Sequence, residues 1–166
     1  MSITIAQFLQ RLEASGILSE SDLAAARAIV AGEDPSGDAE PLVKRLHKEG
    51  RLTGYQAQTL WKGKGQQLAL GNYVIEDELG RGGMGVVLKA RHKRMQRHVA
   101  IKVLPAAMVK DAAAIARFQR EVVAAAKLNH TNIVGAFDAD EINGQHILVM
   151  EFVDGQDLKK IIKTDG

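Results

Sequence analysis

The chain has no cysteine. Disulfides, thiolate catalysis and cysteine-built zinc sites are thereby excluded, which fits a reducing compartment. It also has no apolar run near the roughly 20 residues that cross a bilayer. Its opening, MSITIAQFLQRLEAS, carries neither a basic leader nor a small-residue cleavage site. A cytoplasmic chain with no membrane segment is the expectation. Nor does one sign of charge dominate: 22 Lys and Arg against 20 Asp and Glu leave a net +2, which gives no general argument for nucleic acid or an acidic partner. The basic cluster Arg91, His92, Lys93, Arg94, Arg97 and His98 has no interleaved aromatics and reads as a solvated turn rather than a nucleic-acid surface. The five histidines show no metal-ligand spacing, so no metal site is expected. A chain of 166 residues can bury one ordinary core, or a small domain plus a partial one.

What is present begins with helical periodicity. Ile5, Phe8, Leu9 and Leu12 recur at helical spacing, and Gly16 is placed to close the helix in the left-handed conformation. Ser19 with Asp22 resembles a capping box for a second helix through Leu23, Ala26 and Val30. After the loop GEDPSGDAEP, Leu42, Val43 and Leu46 start a third helix that ends near Gly50, and Thr53 with Gln56 caps a fourth. Phe8, Leu9, Arg11, Leu12, Gly16, Leu18 and Ser19 match Leu42, Val43, Arg45, Leu46, Gly50, Leu52 and Thr53 at a constant offset of 34. Residues 1–62 therefore read as a duplicated helical hairpin. The period equals that of tetratricopeptide repeats, but their Trp, Leu-Gly and Tyr pattern is absent and two copies would not support a solenoid. A compact four-helix unit is expected, either a structural pre-domain or a docking or regulatory module, with no residue that carries chemistry. Tyr55 and Trp61 read as core packing, with anchoring of the helical unit on the sheet as the alternative for Trp61. Residues 63–69 follow as a flexible linker.

Gly80, Gly82 and Gly85 have G-x-G-x-x-G spacing, and such a run lets backbone N–H groups converge on an anion because no Cβ blocks the approach. A dinucleotide site would open a helix at the last glycine. Here Val86, Val87 and Leu88 favour strand, and the polar segment from Arg91 to His98 leads into VAIKVL. A Walker-type loop would need Gly-Lys-Ser/Thr, and Gly85 is followed by Val86. Strand, turn, strand is expected. Alternation puts Val99, Ile101 and Val103 on one face of the return strand and Ala100 and Lys102 on the other, while Val87 and Lys89 share a face of the outgoing strand. Val87 and Ala100 can then enclose a flat apolar ring while Lys102 meets phosphate. Downstream, a helix is expected over about 111–129, with Ile115, Phe118, Val122, Ala125 and Leu128 on one face and Glu121 within that arc. A carboxylate there wants a cation. Asn143-Gly144 signals a hairpin between strands at about 133–140 and 147–152.

Gly80, Gly82, Gly85 and Val87, followed by Val99-Ala100-Ile101-Lys102, resemble the N-terminal half of a protein kinase, and the wording G-R-G-G-M-G is most similar to bacterial serine/threonine kinases of eukaryotic type. The resemblance implies an α+β fold: a kinase-like N-lobe of five antiparallel strands plus the αC helix over residues 70–155, preceded by the all-α four-helix domain. It implies ATP, held beneath Leu79, Gly80, Arg81, Gly82, Gly83, Met84 and Gly85 and between Val87 and Ala100. Glu121, in RFQRE, takes the position that pairs with the strand lysine, here Lys102, the pair orienting that lysine toward the α and β phosphates. In ILVMEFVDGQDL, Met150 takes the gatekeeper position. The Glu151 carbonyl and the Val153 amide then read the adenine edge, and Asp157 approaches the ribose. Without the resemblance, these residues read as a glycine-rich hairpin with a solvated lysine, an edge glutamate, a core methionine and a helix N-terminal carboxylate.

The resemblance covers about residues 70–162, with 156–166 as the start of the αD region. No His-Arg-Asp loop, metal-binding asparagine or Asp-Phe-Gly follows. Kinases draw their Mg²⁺ ligands and hydroxyl-orienting aspartate from that missing C-lobe. The expectation is the N-terminal part of a kinase that, when complete, passes the ATP γ-phosphate to protein Ser or Thr with Mg²⁺. The chain alone is expected to be inactive, to bind ATP weakly, and to self-associate through the surface that would face the C-lobe. The alternative is a non-catalytic nucleotide-binding or protein-interaction module.

Overall fold

The computed structural model describes residues 2–82, 85–105, 108–155 and 162; of the expected site residues, Gly83, Met84 and Asp157 lie outside these. Four helices come first: α1 (Ile5–Ser15), α2 (Glu20–Ile29), α3 (Glu40–Lys48) and α4 (Gly54–Trp61). Local chemistry sets their ends. The Ser19 hydroxyl accepts from the Asp22 amide, and Thr53 with Gln56 forms a reciprocal capping box on α4. Gly16 and Gly50, at φ +62° and +71°, close α1 and α3. Phe8, Leu12, Leu46 and Leu60 are fully buried among these helices, each contributing roughly 1.5–3 kcal/mol of hydrophobic stabilisation. The two hairpins meet where the Ile5 N–H donates to the Gly37 carbonyl (2.9 Å) and the Ala39 N–H to the Ile3 carbonyl (3.0 Å). Moving along the chain by the offset of 34 exchanges these two bonds, as a local two-fold axis does.

The stretch expected as a flexible linker is ordered. Gly65–Leu68 form a 3₁₀ turn in which Leu68 is fully buried, and a Cβ on Gly65 would meet Leu60 Cδ2 at 2.9 Å. The Arg11 guanidinium donates to the Leu60 and Trp61 carbonyls, closing the C-terminus of α4 just before the turn. Polar, glycine-rich wording suggested freedom, but one buried leucine and one close backbone approach remove it. Buried residues then run without a break from Phe8, Leu46 and Leu60 through Leu68 and Leu70 to Ile75, Ile101 and Val149.

Among the described residues the sheet has six strands rather than five: β1 (Ala69–Leu70), β2 (Tyr73–Gly82), β3 (Gly85–His92), β4 (His98–Val103), β5 (Ala136–Ile142) and β6 (Gln145–Glu151), in the order β1-β2-β3-β4-β6-β5. All neighbouring pairs are antiparallel. The extra strand arises because the chain turns at Gly71-Asn72, so that Ala69 and Leu70 fold back against Val74 and Tyr73. The strand expected from 133 starts at Ala136, and Ile133 and Val134 are exposed. Between β4 and β5 lies α5 (Ala112–Ala126), capped by the Asp111 carboxylate on the Ala113 amide at 2.9 Å. Leu128, expected on its apolar arc, falls beyond the helix end and is exposed.

Candidate functional site

The motif glycines lie on a hairpin. β2 and β3 pair Gly80 with Val87, Arg81 with Val86 and Gly82 with Gly85, so no helix opens there. Register shifts between Ile75 and Asp77 and between Glu78 and Gly80 bend β2 on its way to the tip. The three glycines differ in what they need. Gly85 has φ +124°, and a Cβ on it would lie 2.1 Å from the Val103 carbonyl oxygen. A Cβ on Gly80 or Gly82 would meet nothing within 4 Å among the described residues. The described residues do not demand glycine at those two positions and leave space beside their backbone, as a cradle for an anion requires. Arg81 grips Glu78 at both oxygens (3.0 and 2.8 Å), which holds the Glu78 carboxyl below the usual carboxylate range. Leu79 is exposed beside them.

The sheet register assembles one wall. Val87 stands opposite Lys102, and Lys89 opposite Ala100. On the other side of β4, Ala100 pairs with Met150 and Lys102 with Leu148. Val99, Ile101 and Val103 point the other way, into the core shared with the helices. On the Lys102 side a second, smaller cluster forms from Leu104, Phe118 and Leu148, with Ile115, Val122 and Met150 packed on it. Phe118 is the wedge that seats α5 on the sheet. Glu121, one turn further along, then reaches the sheet lysine: Lys102 Nζ donates to Glu121 Oε2 at 2.6 Å. The side chains are 20% and 34% exposed, so the pair is shielded enough for a charge-assisted bond of about 1.5–3 kcal/mol. A small cavity beside it is lined by Leu104, Met108, Arg117 and Phe118 along with the pair.

At the far end of β6, Met150 is half-buried on the same wall, while Glu151 and Val153 are exposed. The Glu151 N–H donates to the Gly135 carbonyl at 2.9 Å, and its carboxylate accepts from the Gly135 N–H at 3.3 Å. Phe152 between them lies under Lys89 Nζ, 4.7 Å from the ring centroid. The structure thus brings together Gly80, Gly82, Gly85, Val87, Ala100, Lys102, Glu121 and Met150, with Glu151 and Val153 at the rim. Sequence reading missed Glu76, whose carboxylate joins Arg91 (3.1 Å) on β3 and His98 (3.0 Å) on β4. No local pattern marks it, because both partners lie across the sheet. Among the described residues no cluster of His, Cys, Asp and Glu could hold a metal ion.

Residues 73–166, more than half of the chain, match the family model described as the protein kinase domain. Serine/threonine-protein kinase PknB of Mycobacterium leprae is 44% identical over 98 residues, covering 57% of this chain and 16% of that protein. Serine/threonine-protein kinase PknF of Mycobacterium tuberculosis is 45% identical over 91 residues, covering 55% of this chain and 19% of that protein. The chain spans only 14% to 19% of the length of the curated relatives it matches. Among solved structures, a cysteine-to-alanine variant of the Mycobacterium tuberculosis PknI kinase domain superposes with a TM-score of 0.50 at 35% identity, covering 57% of this chain and 38% of that one.

Proposed function

Because the chain belongs to the protein kinase domain family, we propose that its sheet and α5 form the ATP-binding lobe of a serine/threonine kinase. The observation that carries this reading is the 2.6 Å bond between Lys102 and Glu121 beside the glycine hairpin. Each element of the site has a use. Open backbone at Gly80 and Gly82 offers N–H groups to phosphate oxygens, with Leu79, Arg81, Gly83 and Met84 completing the loop. Glu121 fixes the direction of the Lys102 ammonium so that it meets the α and β phosphates without first having to be ordered. Val87, Ala100 and Met150 supply apolar walls for adenine. The Glu151 carbonyl and Val153 amide take its polar edge, and Asp157 the ribose.

When bound, ATP supplies the γ-phosphate that the complete kinase passes to a protein Ser or Thr hydroxyl, with Mg²⁺ held by residues that the family places in its second lobe. The 166 residues contain neither His-Arg-Asp nor Asp-Phe-Gly, so this chain alone holds nucleotide without turning it over. Among the described residues no helix is long and apolar enough to cross a membrane, and the reading assigns the lobe to the cytoplasm, where ATP is. Calorimetric titration with ATP should show weak binding that Lys102→Met lowers at least about tenfold, the loss of one charge-assisted bond. Equal affinities in the two chains would overturn the reading. Incubation with γ-labelled ATP and a protein acceptor should transfer no more label than the Lys102→Met chain does.

A further inference from the structure

Where β2 shifts register at Glu76, the backbone carbonyls of Ile75 and Glu76 receive donors from the helical unit rather than only from the sheet. Gln56 Nε2 donates to the Ile75 carbonyl at 2.8 Å, and Thr53 Oγ1 to the Glu76 carbonyl at 2.6 Å. These are the two capping-box residues of α4, and each is used twice. Thr53 Oγ1 also accepts from the Gln56 N–H (3.1 Å), and Gln56 Oε1 from the Thr53 N–H (2.9 Å). A hydroxyl and a primary amide can both accept for the cap and donate to a strand; a carboxylate can only accept.

The chain contains its own comparisons. Thr4 and Gln7 make the same box on α1 (3.2 Å each way), exposed, and among the described residues their side chains donate to no strand of the sheet. At the position equivalent to Gln56 by the offset of 34 stands Asp22, whose N–H donates to the Ser19 cap of α2 and whose carboxylate pairs with Arg51. Among these capping residues only Thr53 and Gln56 donate to strand carbonyls. The contact sits on a bent strand four residues before Gly80, and the Glu76 carboxylate carries it onward to Arg91 on β3 and His98 on β4.

We propose that Thr53 and Gln56 are positioning residues through which the helical unit braces the glycine hairpin, fixing β2 at the base of the flap. The proposal rests on the nucleotide-binding reading only for its effect on affinity. Gln56→Glu and Thr53→Asp each keep the α4 cap and remove the donor to β2; Gln7→Glu and Thr4→Asp make the same changes on α1. Amide hydrogen exchange on the full chain, without nucleotide, should quicken about threefold to tenfold over residues 77–82 and 85–90 in the α4 variants. The α1 variants should match the parent chain, and β5 and β6 should not change in any of the four. Dissociation of ATP should quicken by a similar factor with association unchanged. Unchanged flap exchange in both α4 variants overturns the brace, as does faster exchange throughout the sheet or loss of α4, since the brace acts locally. If the parent chain binds no ATP, the nucleotide reading fails while the exchange measurement still decides this one.

Discussion

At Gly85 an added Cβ would lie 2.1 Å from a backbone oxygen of the neighbouring strand, and φ of +124° is itself one that side chains avoid. Gly85→Ala should therefore destabilise the fold by about 2–4 kcal/mol, from backbone strain plus forced separation of β3 from the end of β4. Gly80→Ala and Gly82→Ala meet open space among the described residues and should change stability by less than about 1 kcal/mol, yet weaken ATP binding. Thermal melts set beside ATP titrations separate the two cases; a large melting shift for Gly80→Ala would show that the hairpin, not a ligand, needs that glycine. The spacing of the motif was legible in the sequence, but this division of labour was not. It depends on where Val103 ends, and that is settled by the β3–β4 register. Lys102 and Glu121 were legible because two simple periodicities, two on the strand and 3.6 on the helix, each place a charge on an otherwise apolar face. Thr53 and Gln56 were legible as a cap. Their second bonds lead to residues some twenty positions away and left no mark on the local pattern.

Elements were readable where their ends are decided locally. α1, α3 and α4 end or begin close to where glycine closure and Thr capping put them. β2 was not, because the turn at Gly71-Asn72 that splits off β1 is a matter of which residues can pair across it. α5 shows how little can hold an element in place. Phe118 is its one side chain described as buried, within a cluster of three buried residues. Phe118→Ala should cost about 3 kcal/mol, toward the lower end of large-to-small core changes because the site lies near the surface and can relax. Its effect should be local: α5 amides exchange faster and the Lys102–Glu121 bond is lost, while α1 to α4 keep their protection. Exchange that rose equally in α1 and α5 would mean the wedge supports the whole core instead.

For the molecule as a whole the deciding feature is the buried path from the helices through Leu68 and Leu70 into the sheet. Composition suggested two bodies on a tether, and polar wording in KGKGQQ offered no sign of the contact. The path exists because Leu68 is fully buried between them and the capping residues of α4 bond to β2. Two bodies joined by a loose linker would unfold separately; parts that share a core unfold together. Trp61, the single tryptophan, ends α4 and reports on the helical unit by fluorescence. Exchange at β4 and β6 amides reports on the sheet. In denaturant both probes should give one midpoint, and Leu68→Ala should lower both together by the equivalent of about 2–5 kcal/mol, the usual range for emptying a buried leucine site. If Leu68→Ala moved the tryptophan midpoint alone, the helical unit would be an attachment. Coincident shifts would make it part of the structure that holds the glycine hairpin over Lys102.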